Sequence, residues 1–288
     1  MHIWLPVAHP IAPSPASAIL SGVLVKEGCY LMIRVIYDVF GVDLVAGMGL
    51  HVALTILAGF TMLFGSAVAI KQTDLKTMLG YSTIAQMGYI FLGMSFLTMS
   101  GLQGAIVHII HHSMMKSALF LAAGAIIYKT GIRGIDKMAG IGKKMPVTML
   151  VFSIAALSMM GIPPLAGFIS KWTLAMGALE TGEPVFMVSI LLLILSGIMN
   201  AIYLMPIIIE AYFSAVGSQR VEANLFALPC REAEASPTLT DPRQPTDDAP
   251  PSMLLPMMIL ALGIIIFGIF TNLSFSAIIP AARALLGP

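Results

Sequence analysis

Charge is what this chain has least of. Only 10% of its 288 residues are Asp, Glu, Lys or Arg, against 58% that are apolar, and the mean hydropathy is +0.94. A water-soluble domain of this length needs far more charge to cover its surface, so the composition defines a membrane protein. The net charge of +1 excludes the basic surface that nucleic acid requires and gives no reason for an acidic partner. Cysteine is scarce as well: two residues, Cys29 in an apolar run and Cys230 in a polar one, make neither a CxxC pair nor a disulfide framework and argue against an iron–sulfur site. A signal peptide is not legible, because "MHIWLPVAHP" has no basic start and too little apolar length before its prolines.

What is present in quantity is apolar sequence in long runs. A bilayer crossing needs about 20 such residues, and helical candidates fall near 15–37, 44–70, 77–97, 102–128, 146–161, 165–180, 184–213 and 253–279. The expected fold is all-α: a polytopic membrane bundle of about eight transmembrane helices, two of them broken. "GIPPLAG", residues 161–167, puts two prolines and two glycines inside apolar sequence, and "PIAPSPAS", residues 10–17, interrupts the chain before the first long run. Backbone opened in this way cannot face lipid and belongs inside a bundle or against a cavity. A lysine follows each break, Lys26 and Lys171. Paired interruptions in two halves of a chain point to a transporter with internal repeats.

Residues 214–252, rich in Pro, Ser, Thr and acids, read as a solvated loop. They divide the chain into a transmembrane core at 1–213, the loop, and a last helix and tail at 253–288. With eight crossings, Lys71, Lys76, Lys129, Arg133, Lys137, Lys143, Lys144 and Arg283 share one side, which the positive-inside rule makes cytoplasmic. That arrangement puts the acidic loop outside.

Ionisable groups within the apolar runs carry the functional signal, since each costs a few kcal/mol, about 3, at the bilayer centre. Lys26 lies about halfway along its run, too deep to reach either interface. Lys171 follows the internal proline break, and His51 opens the apolar part of the second run. In "HIIHHSMMKSALF", His108, His112 and Lys116 are spaced i, i+4, i+8, drifting only about 80° around a helix and forming one polar stripe, while His111 faces partly away. One reading is that each group finds a hydrogen bond in a packed interior. A second is a metal, since HxxxH at helical spacing can chelate zinc, but Lys116 is one turn away and no third ligand is evident. A haem held by two histidines would need a partner on another helix. Histidine titrates near neutral pH, and a desolvated lysine can do so too.

"HIWLPVAHPIAPSPASAILSGVLVKEGCYLMIR", "QTDLKTMLGYSTIAQMGYIFLG", "HIIHHSMMKSALFLAAGAIIY" and "SMMGIPPLAGFISKW" occur in this order. Together they closely resemble the proton-conducting antiporter-like membrane subunits. That family comprises membrane-arm subunits of NADH–quinone oxidoreductase, large subunits of Mrp-type sodium/proton antiporters and their counterparts in membrane-bound hydrogenases. The resemblance covers residues 1 to about 213. It implies that Lys26, His51, His108, His112, Lys116 and Lys171 form a mid-membrane proton relay, with the chain itself holding no flavin, quinone, cluster or metal. It also implies other membrane subunits as partners, lipid around them, protons or Na+ as cargo, and a multi-pass place in the inner (plasma) membrane.

The chain departs from the pattern in one respect. Full members carry several further helices before "HIWLPVAHP", one bearing a glutamate that pairs with the lysine equivalent to Lys26, so the chain reads as a fragment or a split subunit. Glu27 points about 100° away from Lys26 around a helix and is a poor substitute. Asp74 reads as a helix cap. Two functions stay open: an ion-translocating subunit of a redox-driven complex, and a subunit of a cation/proton antiporter without redox partners. An autonomous solute carrier is a third, lacking a recognisable substrate site.

Overall fold

The structure is a computed structural model that describes residues 4–213 and 248–286, so most of the expected 214–252 loop, Cys230 included, lies outside the described residues. Among the described residues the regular structure is helical, with one isolated bridge between Asp74 and Gly134. The helices are α1 (Trp4–Ile11), α2 (Ser14–Ile19), α3 (Val25–Arg34), α4 (Val42–Gly47), α5 (Leu50–Ile70), α6 (Leu75–Ser95) and α7 (Met99–Thr130). They continue with α8 (Ile141–Lys144), α9 (Pro146–Met160), α10 (Ala166–Glu180), α11 (Pro184–Phe213), α12 (Pro251–Ile269) and α13 (Thr271–Leu286).

By length and composition, α5, α7, α11 and α12 are suited to cross a membrane. Exposed Leu191, Ile194, Ile198 and Ile202 make an apolar stripe along α11, as a lipid-facing surface requires. By contrast, α6 is buried along nearly its whole length and forms the centre of the bundle between α5 and α7. Glycines permit this. A Cβ on Gly65 would stand 2.7 Å from the Ala85 nitrogen, and one on Gly88 would stand 2.8 Å from the Ala58 carbonyl oxygen, so α5 and α6 meet backbone to backbone.

The ends of the central helices follow the sequence. Asp74 caps α6, its carboxylate accepting from the Thr77 N–H at 2.8 Å, as expected for it. Thr98 caps α7 by accepting from the Gly101 N–H, and Gly131, at φ 71°, ends it.

Four helices of this length and composition do not by themselves establish the expected count of about eight crossings. Residues 146–161 and 165–180 run on in one direction along α7: α9 starts beside residues 131–145, where α7 ends, and α10 finishes where α7 starts, with Glu180 accepting from the Ser100 N–H at 3.0 Å. Gly161, at φ 93°, ends α9, and the two prolines behind it offer no N–H to continue the ladder. The break before the first long run narrows to Ala12 and Pro13. That run is itself continued through two π-helical stretches, Leu20–Leu24 and Val35–Phe40. A further interruption, at Phe270 between α12 and α13, was not expected from the sequence.

The sidedness changes with that direction. Asp248 accepts from the Val147 N–H at 2.7 Å and the Thr148 N–H at 3.2 Å, and the Gly140 N–H donates to the Glu210 carbonyl at 3.2 Å. Both described flanks of residues 214–247 therefore lie at the same end as the basic 131–145 segment, not the opposite one.

Candidate functional site

Five of the six residues singled out in the sequence lie around the middle of α6, between Leu79 and Tyr89, a rise of about 15 Å. The first π-helical stretch positions Lys26: the Val25 N–H reaches back five residues to the Leu20 carbonyl, and the Lys26 ammonium donates to the Ser21 carbonyl. The Ser21 hydroxyl bonds the Thr83 hydroxyl at 2.7 Å, and Thr83 in turn donates to the Leu79 carbonyl at 2.9 Å. That carbonyl also accepts from the ammonium of Lys116, at 2.9 Å, which donates to the Ser82 hydroxyl as well. Lys26 and Lys116 thus share one hydrogen-bonded cluster on α6. Both are buried.

The stripe on α7 is real as geometry. His108 and His112 stack with ring planes 6° apart and centroids at 5.6 Å. His108 is held from both sides, Nδ1 by Ser170 at 2.9 Å and Nε2 by Gln86 at 3.1 Å, and its ring stacks on Tyr89 at 5.3 Å. With both nitrogens engaged, it has none left for the metal pair that HxxxH suggests. His112 is fully buried and neither nitrogen has a hydrogen-bond partner. Such a group normally costs stability.

Lys171 completes the layer from α10. Its ammonium donates to the Met159 and Met160 carbonyls at 2.6 and 3.1 Å and lies 5.1 Å from the centre of the Tyr89 ring. The carbonyls at the end of α9 carry partial negative charge, so Lys171 also serves as a cap. Neither it, Lys26 nor Lys116 has a carboxylate within ion-pairing range among the described residues.

His51 stands apart. It lies in the first turn of α5 with its ring 5.6 Å from Phe186, and one turn further on Thr55 bonds Ser95, at the last turn of α6. Its Nδ1 is buried without a partner.

Three groups were missed. Gln86 and Tyr89 sit inside a motif quoted for resemblance but were given no role. His111 turns from the stripe and joins two interruptions: its Nδ1 donates to the Ala166 carbonyl at 2.8 Å, while its Nε2 meets the Ser274 hydroxyl at 3.0 Å. Only its position off the stripe hinted at separate duty. Beside Lys26, a groove of about 520 Å³ lined by Gly22, Tyr30, Ile106, Ser113 and Ala281 opens to the outside of the chain.

A helical bundle with long apolar spans, enclosing buried lysines that have no carboxylate in ion-pairing range among the described residues, defines an integral membrane protein that holds polar groups at depth. Residues 1–198 match the family model described as "NADH:quinone oxidoreductase/Mrp antiporter, TM", and the chain belongs to this family. It is 38% identical over 283 residues, 98% of its length, to NADH-quinone oxidoreductase subunit N of Desulforudis audaxviator, covering 53% of that protein. Over 224 residues, 78% of the chain and 44% of the relative, it is 36% identical to a Na(+)/H(+) antiporter subunit of Alkalihalophilus pseudofirmus. The chain therefore spans about half the length of these curated relatives. Among solved structures, a chain of the Mrp complex from a Dietzia species superposes with a TM-score of 0.82 at 24% identity, over 99% of this chain and 56% of that one, which shows the shared fold. A chain of the archaeal membrane-bound sulfane sulfur reductase gives 0.76 at 28% identity, over 93% and 41%.

Proposed function

We infer that this chain is the proton-translocating part of a membrane subunit in a redox-driven complex of the NADH dehydrogenase or membrane-bound hydrogenase type. Protons move through the layer formed by Lys26, Lys116, His112, His108 and Lys171. His51 serves the path at the α5 end. The observation that carries this reading is the set of three lysines aimed at backbone carbonyls and hydroxyls rather than at carboxylates. A structural cation in a bilayer is normally neutralised; one that alternates between charged and neutral forms gains from having no permanent counter-ion.

Residues 1–213 form the transmembrane core, 214–252 a polar connection and 253–288 the final helical segment. The partners are other membrane subunits, for which the groove beside Lys26 offers an apolar wall. The site is the inner (plasma) membrane, crossed several times.

The alternative is a subunit of an Mrp-type cation/proton antiporter without redox partners, supported by the 36% identity to the Alkalihalophilus antiporter protein. Isolation of the chain with its native partners separates the two. Redox substrate should drive acidification or alkalinisation of vesicles in the first case; in the second, only a sodium gradient should do so. Absence of ion movement under both conditions would defeat both readings.

A further inference from the structure

A fully buried titratable group outside the proposed relay is His9. It lies in the last turn of α1, just before the Ala12–Pro13 interruption, with no solvent exposure and no hydrogen-bond partner at either ring nitrogen. Its ring packs against Phe120, tilted by 31° with the ring centroids 4.4 Å apart, and the Lys116 ammonium lies 5.9 Å from the centre of that same Phe120 ring. The His9 ring also rests against Gly80: a Cβ there would stand 3.2 Å from His9 Cδ2 and 2.9 Å from the Pro6 Cα. Lys116 bonds the neighbouring Leu79 carbonyl. Imidazole and ammonium thus meet one turn of α6 and one aromatic ring.

One turn back along α6, nearer the end that carries residues 131–145, the Lys76 ammonium donates to the Ala12 carbonyl at 3.0 Å. Lys76 is buried as well. A lysine near the end of the bundle, an imidazole with two free nitrogens and a lysine in the central layer are therefore set in order along the first two turns of α6. Packing alone does not call for an imidazole between two cations, since an apolar ring would fill the same space without burying two unpartnered nitrogens.

We propose that His9 hands protons between the Lys76 end of the bundle and Lys116. A proton accepted on one ring nitrogen is matched by one released from the other, so His9 returns to its neutral form and Lys116 alternates between ammonium and amine. This rests on the lysine layer acting as a proton path, and it adds the branch that connects that layer to one membrane face.

The test is His9→Gln in the complete complex in membrane vesicles, with ion uptake followed by a lumenal pH-sensitive dye and normalised to assembled complex. The expected result is a fall of about tenfold or more, together with a larger solvent deuterium isotope effect than wild type, because the slowed proton transfer becomes rate-limiting. Unchanged pumping, or a fall with no change in isotope effect, overturns the proposal. If His9→Gln does not assemble, Lys76→Gln, whose amide can still donate to the Ala12 carbonyl, is measured in the same way, with the same two outcomes. Lys116→Met is run in parallel. Full pumping by that variant removes the lysine layer itself, whereas loss in Lys116→Met with full pumping in His9→Gln removes only the branch.

Discussion

Lys116→Met is the substitution in which structural damage and lost chemistry separate most cleanly. Methionine keeps much of the stem volume and removes the ammonium. The variant loses two hydrogen bonds from a charged donor, each worth about 1.5–3 kcal/mol, and escapes the several kcal/mol, about 3–5, of burying an ion. These contributions oppose one another and are of similar size. Nor is an acceptor orphaned, because the Leu79 carbonyl still receives the hydroxyls of Ser82 at 3.0 Å and Thr83 at 2.9 Å. The complex should therefore assemble with its stability changed by about 2 kcal/mol or less. Pumping should fall by about a hundredfold, the lower part of the range for removing a positioned proton carrier and equivalent to about 2.7 kcal/mol of barrier. Thermal unfolding of the purified complex and dye-monitored uptake into vesicles measure the two quantities on one preparation. Wild-type pumping in an assembled Lys116→Met complex would refute the reasoning; loss of assembly together with pumping would return Lys116 to a structural role.

Further outcomes follow from the same geometry. His112→Leu removes two buried nitrogens that have no partner, so the unfolding temperature should hold or rise while pumping falls less than in Lys116→Met; a lower unfolding temperature would mean that the ring nitrogens do contribute to stability. Gly65→Ala drives a Cβ to 2.7 Å from the Ala85 nitrogen, a backbone atom that cannot step aside, and should cost about 1–3 kcal/mol, read as reduced yield and thermal stability of the complex; an unchanged unfolding temperature would contradict the close α5–α6 contact. Lys143→Cys and Pro250→Cys should react with an impermeant thiol reagent from the same face of the membrane, because Asp248 ties the start of α12 to the start of α9. Labelling from opposite faces would restore the sidedness expected from the sequence.

The break at residues 161–167 and the stripe of His108, His112 and Lys116 were legible because both are local. Proline and glycine punctuate a helix wherever they occur, and i, i+4, i+8 spacing fixes a common face. Asp74 was legible for the same reason. The direction of the later helices was not. Apolar length alone cannot tell two half-helices that run on in one direction from two short crossings that turn back, so the directions of α11 and α12 relative to the basic 131–145 segment come out opposite to those expected. The interruption at Phe270 has no Pro at it and only Gly268 two residues earlier, a glycine whose part depends on a tertiary contact, its close approach to the Pro164 carbonyl. His111, His9 and His51 show the same limit: what separates them from the stripe is a partner far away in sequence, Ser274, Phe120 and Phe186 respectively. The motif around His9 was visible, but its ring acquires meaning only when α1 folds against Gly80.

The central claim, that ions cross through the buried lysine layer, is tested most directly by ion uptake into vesicles containing the complex with Lys116→Ala and Lys171→Ala together. The account predicts that the assembled double variant retains its driving reaction but moves essentially no protons or sodium. Full pumping by that assembled complex would contradict it.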